Sequence, residues 1–260
     1  MNYFIEGLQG SGKSTLVRKL RESRPGYTAV MEGDYSPVEL AWCAYMDAAE
    51  YDAVLRRYPD IRSGIERKTF AEGEKRIVCY TQVRTDDREF YRDLERYEIY
   101  NGRIPFDDFR AVVLGRYRRW DTDRMIFECS LFQNTVEDML LFRCMPDGAV
   151  VDFYRQVRSA LEGKDYRIVC LRTDNVPASL QAVRKERCDA DGNEVWFSML
   201  LQYFDASPLA TEQGVRGEEA LVRHLEHRQR LEMRICAEVF PDRCRILSSR
   251  GYTDADIAAL

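Results

Sequence analysis

Lysine is scarce in this chain, with six (Lys13, Lys19, Lys68, Lys75, Lys164 and Lys185) among 39 basic residues, and histidine is rarer still, with two. Long apolar runs are missing: nothing approaches the roughly eighteen uninterrupted apolar residues that a membrane span requires, and residues 1–6 enter a structural motif without a signal-peptide pattern. The expectation is a cytoplasmic protein with no membrane partner. No CxxC pair occurs among the eight cysteines (Cys43, Cys79, Cys129, Cys144, Cys170, Cys188, Cys236 and Cys244). Several of them sit in apolar runs, where a reduced Cys behaves as a small hydrophobe, so they read as core thiols. An excess of positive charge is absent too: 44 acidic against 39 basic side chains leave a net charge of −5, which argues against affinity gained by neutralising many phosphates and so against nucleic acid as a partner. Zinc spacing, a Ser-His-Asp order and the G-x-G-x-x-G fingerprint are not found. His224 and His227, three apart on a charged helix, read as a solvated pair.

What is present is enough apolar side chain, 45% of 260 residues, to bury a full core, and this sets aside disordered and fibrous classes. Length favours a single domain over residues 1–260, carrying a sizeable insertion. Residues 2–6 are too short and apolar for a surface helix and read as a buried strand. Further strands are expected at residues 27–31, 124–127, 166–171 and 243–247, with helices at 14–22, 177–187, 194–204 and 217–239. Strands separated by helices imply an α/β fold with a parallel sheet wrapped by crossover helices. Roughly ninety residues, 33–123, separate the second and third strands, far more than a bare crossover needs. A mainly helical insertion is expected there, at 35–122, with one short strand near 77–83.

Gly7-Leu8-Gln9-Gly10-Ser11-Gly12-Lys13-Ser14 fits G-x-x-x-x-G-K-[ST], directly after a strand and opening a helix. Glycines at 7, 10 and 12 let successive N–H groups turn inward, and the positive end of the following helix adds to that concave donor array. Gly10, Ser11, Gly12, Lys13, Ser14 and Thr15 are therefore expected to hold a triphosphate. Lys13 belongs between the β and γ phosphates, the Ser14 hydroxyl on a magnesium ion, and Thr15 at the α-phosphate. In an open parallel sheet ligands lie beyond the carboxyl ends of the strands. This draws attention to Asp34, in Glu32-Gly33-Asp34, and to Glu128, after Met125-Ile126-Phe127. Phosphoryl transfer needs a carboxylate near the acceptor proton and commonly another near magnesium. Asp34 and Glu128 can divide those roles either way, and each can instead cap a helix.

The loop and these two strand ends, Glu32-Gly33-Asp34 and Phe127-Glu128-Cys129-Ser130, together resemble P-loop small-molecule kinases of the nucleoside and nucleotide kinase group, including thymidylate-kinase-like proteins. Residues 33–43, GDYSPVELAWC, look like a poorly characterised bacterial branch of that group. The resemblance implies a P-loop NTPase fold with a five-stranded parallel sheet in the order 2-3-1-4-5, a helical acceptor-binding region, and a lid, here at 177–216. Arg184 and Arg187, in Arg184-Lys185-Glu186-Arg187, are similar to lid arginines that meet the transferring phosphoryl, and Arg250 stands where such kinases hold adenine. Two features depart from the group: Cys129 replaces the arginine of a Glu-Arg-Ser strand end, and the insertion is unusually long. Tyr35, Glu39, Trp42, Tyr100, Asn101 and Arg103, with Gln133 and Asn134, offer flat faces and amide edges suited to a base or sugar.

The function expected from these readings is phosphoryl transfer from ATP, with Mg2+, to a small-molecule acceptor of nucleoside or nucleotide kind. An antibiotic or sugar-alcohol phosphotransferase keeps the same chemistry with another acceptor. A nucleotide-binding switch working through a protein partner is the alternative from another class.

Overall fold

A computed structural model describes all residues, 1–260. In chain order the strands are β1 (Asn2–Gly7), β2 (Thr28–Val30), β3 (Ala44–Met46), β4 (Thr69–Glu72), β5 (Lys75–Val78), β6 (Met125–Glu128), β7 (Tyr166–Arg172) and β8 (Cys244–Ser248). The chain divides into two compact units, one made of Met1–Ala29 with Asp121–Leu260 and the other of Val30–Trp120. No helix is long and apolar enough to cross a membrane.

The first unit is organised around β1, all six residues of which are buried. A strand covered on both faces shows no alternation, which is why β1 reads as a continuous apolar run. β1 pairs in parallel with β6 (Tyr3 beside Ile126) and with β7 (Asn2 beside Tyr166), and β7 pairs in parallel with β8 (Ile168 beside Cys244). Phe4 stacks on Phe127 across the β1–β6 pair, ring centroids 5.1 Å apart. Helices Lys13–Ser23, Asp147–Ala160 and Gly217–Val239 each bury an apolar stripe, for example Leu16, Val17 and Leu20 in the first of them.

The expectation of five strands numbered 2-3-1-4-5 is corrected: the chain has eight strands, and its five-stranded sheet runs β2-β6-β1-β7-β8, because a second sheet, β3-β5-β4, lies between β2 and β6 in the chain and shifts the numbers of the strands that follow. The segment expected to be mainly helical thus carries three strands, all antiparallel pairs. The cause is local. Glu72 pairs with Lys75 around a two-residue loop, and Gly73 has the left-handed φ of 59° that a tight hairpin requires at its first loop position. The short strand expected near 77–83 ends at Val78 and passes into a 3-10 turn, Tyr80–Gln82.

The second unit packs that sheet with helices Ala48–Arg57, Arg62–Arg67, Arg88–Glu95 and Phe106–Arg119. Its own core includes Met46, Leu55, Ile65, Val78, Phe90 and Leu94. Asp47 begins the Ala48–Arg57 helix with a reciprocal capping box, its side chain accepting from the Glu50 N–H while Glu50 accepts from the Asp47 N–H. Arg116, fully buried, donates to the Ser36 carbonyl and to the Glu72 carboxylate, tying the hairpin to the loop that precedes β3.

Candidate phosphate-binding site

The loop from Gly7 to Gly12 joins β1 to the Lys13–Ser23 helix, and three glycines shape it for three reasons. A Cβ on Gly7 would meet the Leu171 carbonyl at 2.7 Å, and one on Gly10 would meet Val183 Cγ2 at 2.0 Å. Gly12, the N-cap, has φ 94° and ψ 18°, a left-handed conformation costly for any other residue, yet a Cβ there would meet nothing within 4 Å. Its freedom therefore serves the turn, and the space beside it stays open.

Helix N-termini leave their first N–H groups without intrahelical partners. Asp47, Asp87, Asn175, Ser207 and Thr253 each accept from such a group with a side-chain oxygen. The Lys13–Ser23 helix has no side-chain cap and no acid in its first turn. The Val195–Asp205 helix also lacks both, and what sets the Lys13–Ser23 helix apart is the glycine loop before it and Lys13 at its first position, a start suited to an external anion. Lys13 sits at this end, 6% exposed, its Nζ donating to the carbonyls of Gly7 and Leu8, both at 2.8 Å. Ser14 Oγ donates to Glu128 Oε1 at 2.5 Å, bringing together a hydroxyl and a carboxylate from the end of β6. Two hard oxygens so placed suit a magnesium ion. Ser11 is fully buried and its Oγ has no hydrogen-bond partner. The open space at Gly12, the uncapped donors, Lys13 and the Ser14–Glu128 oxygens are together a donor set that fits a magnesium-bound polyphosphate.

The loop is braced from behind by a buried charged network that sequence reasoning missed. His224, Arg228 and Glu232, spaced i, i+4 and i+8 on the Gly217–Val239 helix, share one inward face. Arg228, fully buried, donates to Glu137 Oε2 at 3.0 Å and to Gln9 Oε1 of the loop at 2.9 Å. His224 Nε2 meets the same Glu137 oxygen at 3.0 Å. Burial alone would raise the Glu137 pKa, but the Arg228 guanidinium and the His224 ring beside it hold it at about 2. Glu232 Oε1 lies 3.2 Å from Arg228 Nε, close enough for an ion pair but misaligned for a hydrogen bond. Burial raises its pKa, with Arg228 and Lys13 opposing. Glu6, also fully buried, accepts from the N–H groups of Leu131, Phe132 and Gln133, capping the Gln133–Glu137 helix, and burial pushes it up to about 7. The solvated reading of the histidines is corrected accordingly: His224 is buried, and His227 is half-buried against Asp147 at 2.8 Å. The four-residue spacing of His224, Arg228 and Glu232 was the available signal.

Around the loop the structure gathers Gly10, Ser11, Gly12, Lys13, Ser14, Thr15, Glu128 and Arg250. The Arg250 guanidinium bonds the Gly10 carbonyl at 3.1 Å and pairs with Glu186 at 2.7 Å, clamping the loop to the Val176–Glu186 helix. Arg184 is held by Glu194 and Glu218 (2.5 and 2.8 Å) and lies over the Phe197 ring, while Arg187 lies over the Trp196 ring. Gln133 is buried at the helix start capped by Glu6, and Asn134 reaches the Cys129 carbonyl.

The other candidates belong to the second unit. Asp34 accepts from Gln82 Nε2 at 2.6 Å and from the Met31 N–H at 3.0 Å, and Lys68 fixes that amide through Gln82 Oε1. Tyr35 stacks on Phe70 at 4.2 Å. Trp42, 46% exposed with φ 62°, donates to Glu32. Glu39 is buried, accepting from the Ala41 N–H, and burial pushes it up to about 8 despite a Tyr100 hydrogen bond. Asn101 adopts a left-handed φ of 60°, and Arg103 pairs with Glu95.

No family model matches the chain, and no curated protein matches it.

Proposed function

We propose that this protein is an ATP-dependent phosphotransferase acting on a small-molecule acceptor of nucleoside or nucleotide kind. The observation that carries the reading is the uncapped, acid-free start of the Lys13–Ser23 helix, with Lys13 at its first position and the Ser14 hydroxyl on Glu128. In this reading magnesium-ATP supplies the phosphoryl group. The loop N–H groups and Lys13 hold and neutralise the phosphate oxygens, Ser14 and Glu128 set the place of the metal, and the Arg228–Gln9 bond keeps the loop in shape for charge that develops during transfer.

The test is incubation with magnesium-ATP and a mixed panel of nucleosides, nucleotides, sugar alcohols and aminocyclitols, read by mass spectrometry. A gain of one phosphoryl group on a nucleoside or nucleotide, absent with K13M, supports the reading. A gain confined to an aminocyclitol or sugar alcohol keeps the chemistry and replaces the acceptor. ATP consumed only by slow hydrolysis, without any phosphorylated acceptor, contradicts the assignment.

A further inference from the structure

Three cysteines from three separate elements converge away from the phosphate loop. Cys170 lies in β7, Cys244 begins β8, and Cys236 belongs to the Gly217–Val239 helix. In the β7–β8 register Cys244 is beside Ile168, two residues from Cys170, so both thiols leave the same face of the sheet. Cys236 reaches that face from the helix: its Sγ is 3.3 Å from Cys170 Sγ, which is in turn 3.7 Å from Cys244 Sγ, and all three sulfurs lie within 4.8 Å of one another. Buried apolar packing alone does not ask for sulfur at three facing positions. Three thiolates around one trigonal ion, at about 2.3 Å from it, stand roughly 4.0 Å apart, a spacing that the three sulfurs reach by shifts of a few tenths of an ångström.

We propose that Cys170, Cys236 and Cys244 form a site for a single soft, thiophilic cation of the Cu(I) class. The donor set is all sulfur, with no imidazole or carboxylate in the cluster, and soft thiolate sets favour Cu(I), whereas structural zinc asks for a fourth ligand. Binding forms three metal–sulfur bonds and releases the thiol protons to solvent, with no change of oxidation state. Cys170 and Cys236 are buried, while Cys244 is half-buried and gives the ion its entry. The consequence reaches the loop brace. Cys236 lies one turn beyond Glu232 and two beyond Arg228 on the same helix, so a loaded site pins to β7 and β8 the helix that holds Gln9.

The experiment is an anaerobic titration of the reduced full chain with Cu(I) against a competing chromogenic chelator, followed by ultraviolet thiolate-to-metal absorption and thermal unfolding. One equivalent retained, with a raised Tm, is expected. C244S, at the most exposed of the three positions, should weaken retention by at least about tenfold while keeping the wild-type circular dichroism spectrum. C43A, which breaks the separate Cys43–Cys79 contact at 3.6 Å, should leave retention unchanged. No retained equivalent, equal retention by C244S, or loss in C43A would each overturn the site. Retention of Zn(II) with rejection of Cu(I) would overturn the three-sulfur assignment.

Discussion

The two units bury their acids in opposite ways. In the unit that carries the loop, Glu137 is buried against the Arg228 guanidinium and His224 and stays ionised, at about 2. In the unit Val30–Trp120, Glu39 and Glu98 are buried mainly against N–H and hydroxyl donors, and burial pushes them up to about 8 and about 7. Glu6 sits in the first unit yet faces backbone N–H groups, and it follows the second pattern, at about 7. The lesson is that a guanidinium hydrogen-bonded to the carboxylate, more than depth of burial or proximity alone, decides whether a buried carboxylate keeps its charge. Glu232, 3.2 Å from Arg228 Nε without a hydrogen bond, has its pKa raised by burial. The first unit uses that device to brace the loop after β1. The second uses neutral acids as hydrogen-bonding core groups.

The contrast can be broken at several points. The largest effect is expected at Lys13: K13M should reduce phosphoryl transfer by about a thousandfold or more while leaving the circular dichroism spectrum unchanged, and measured turnover in that variant decides it. Next is Arg228. R228M leaves Glu137 buried without its guanidinium and should cost about 3–5 kcal/mol, read by denaturant unfolding and by faster amide exchange in β1, β6 and β7; a cost under about 1 kcal/mol would remove the brace from the account.

The pH dependence should then differ between the units. Glu39 and Glu98 hold protons in the folded state that the unfolded chain has released, so the stability of Val30–Trp120 falls as pH rises from about 4.5 towards 8. Glu137 works with the opposite sign: its contribution is present above about 4.5 and is lost as pH falls towards 2. E98Q should therefore stabilise the second unit at pH 8 by about 1–3 kcal/mol and have little effect at pH 5, as monitored by amide exchange at Tyr80 and its neighbours. The smallest effect is expected at an ordinary cap: D47A should cost about 1 kcal/mol in thermal unfolding and leave ATP turnover alone.

The strand, glycine loop and helix start at residues 7–14 were legible because their residue types follow from backbone geometry: Gly12 at a left-handed turn, Lys13 and Ser14 at the first helical positions. The buried strands were legible as short apolar runs, since β1 and β7 have both faces covered. The β4–β5 hairpin was hidden because Thr69–Glu72 is short and partly exposed, with no apolar alternation to mark it, and the three strands uncounted there shifted the number of every strand after β2. The charged network was hidden for a different reason. Arg228 and Glu232 look like ordinary solvated positions of a charged helix, and only the partners Glu137 and Gln9, distant in the chain, reveal that they face inward. Arg184 shows the converse: a lid-like arginine in the sequence is held by two carboxylates in the fold.

The most direct measurement is isothermal titration of the purified chain with magnesium-ATP, in parallel with K13M. One binding event in the wild type that vanishes in the folded variant is the predicted result. A wild-type titration without heat at any tested temperature, or equal binding by K13M, would contradict the claim that the loop after β1 holds a polyphosphate.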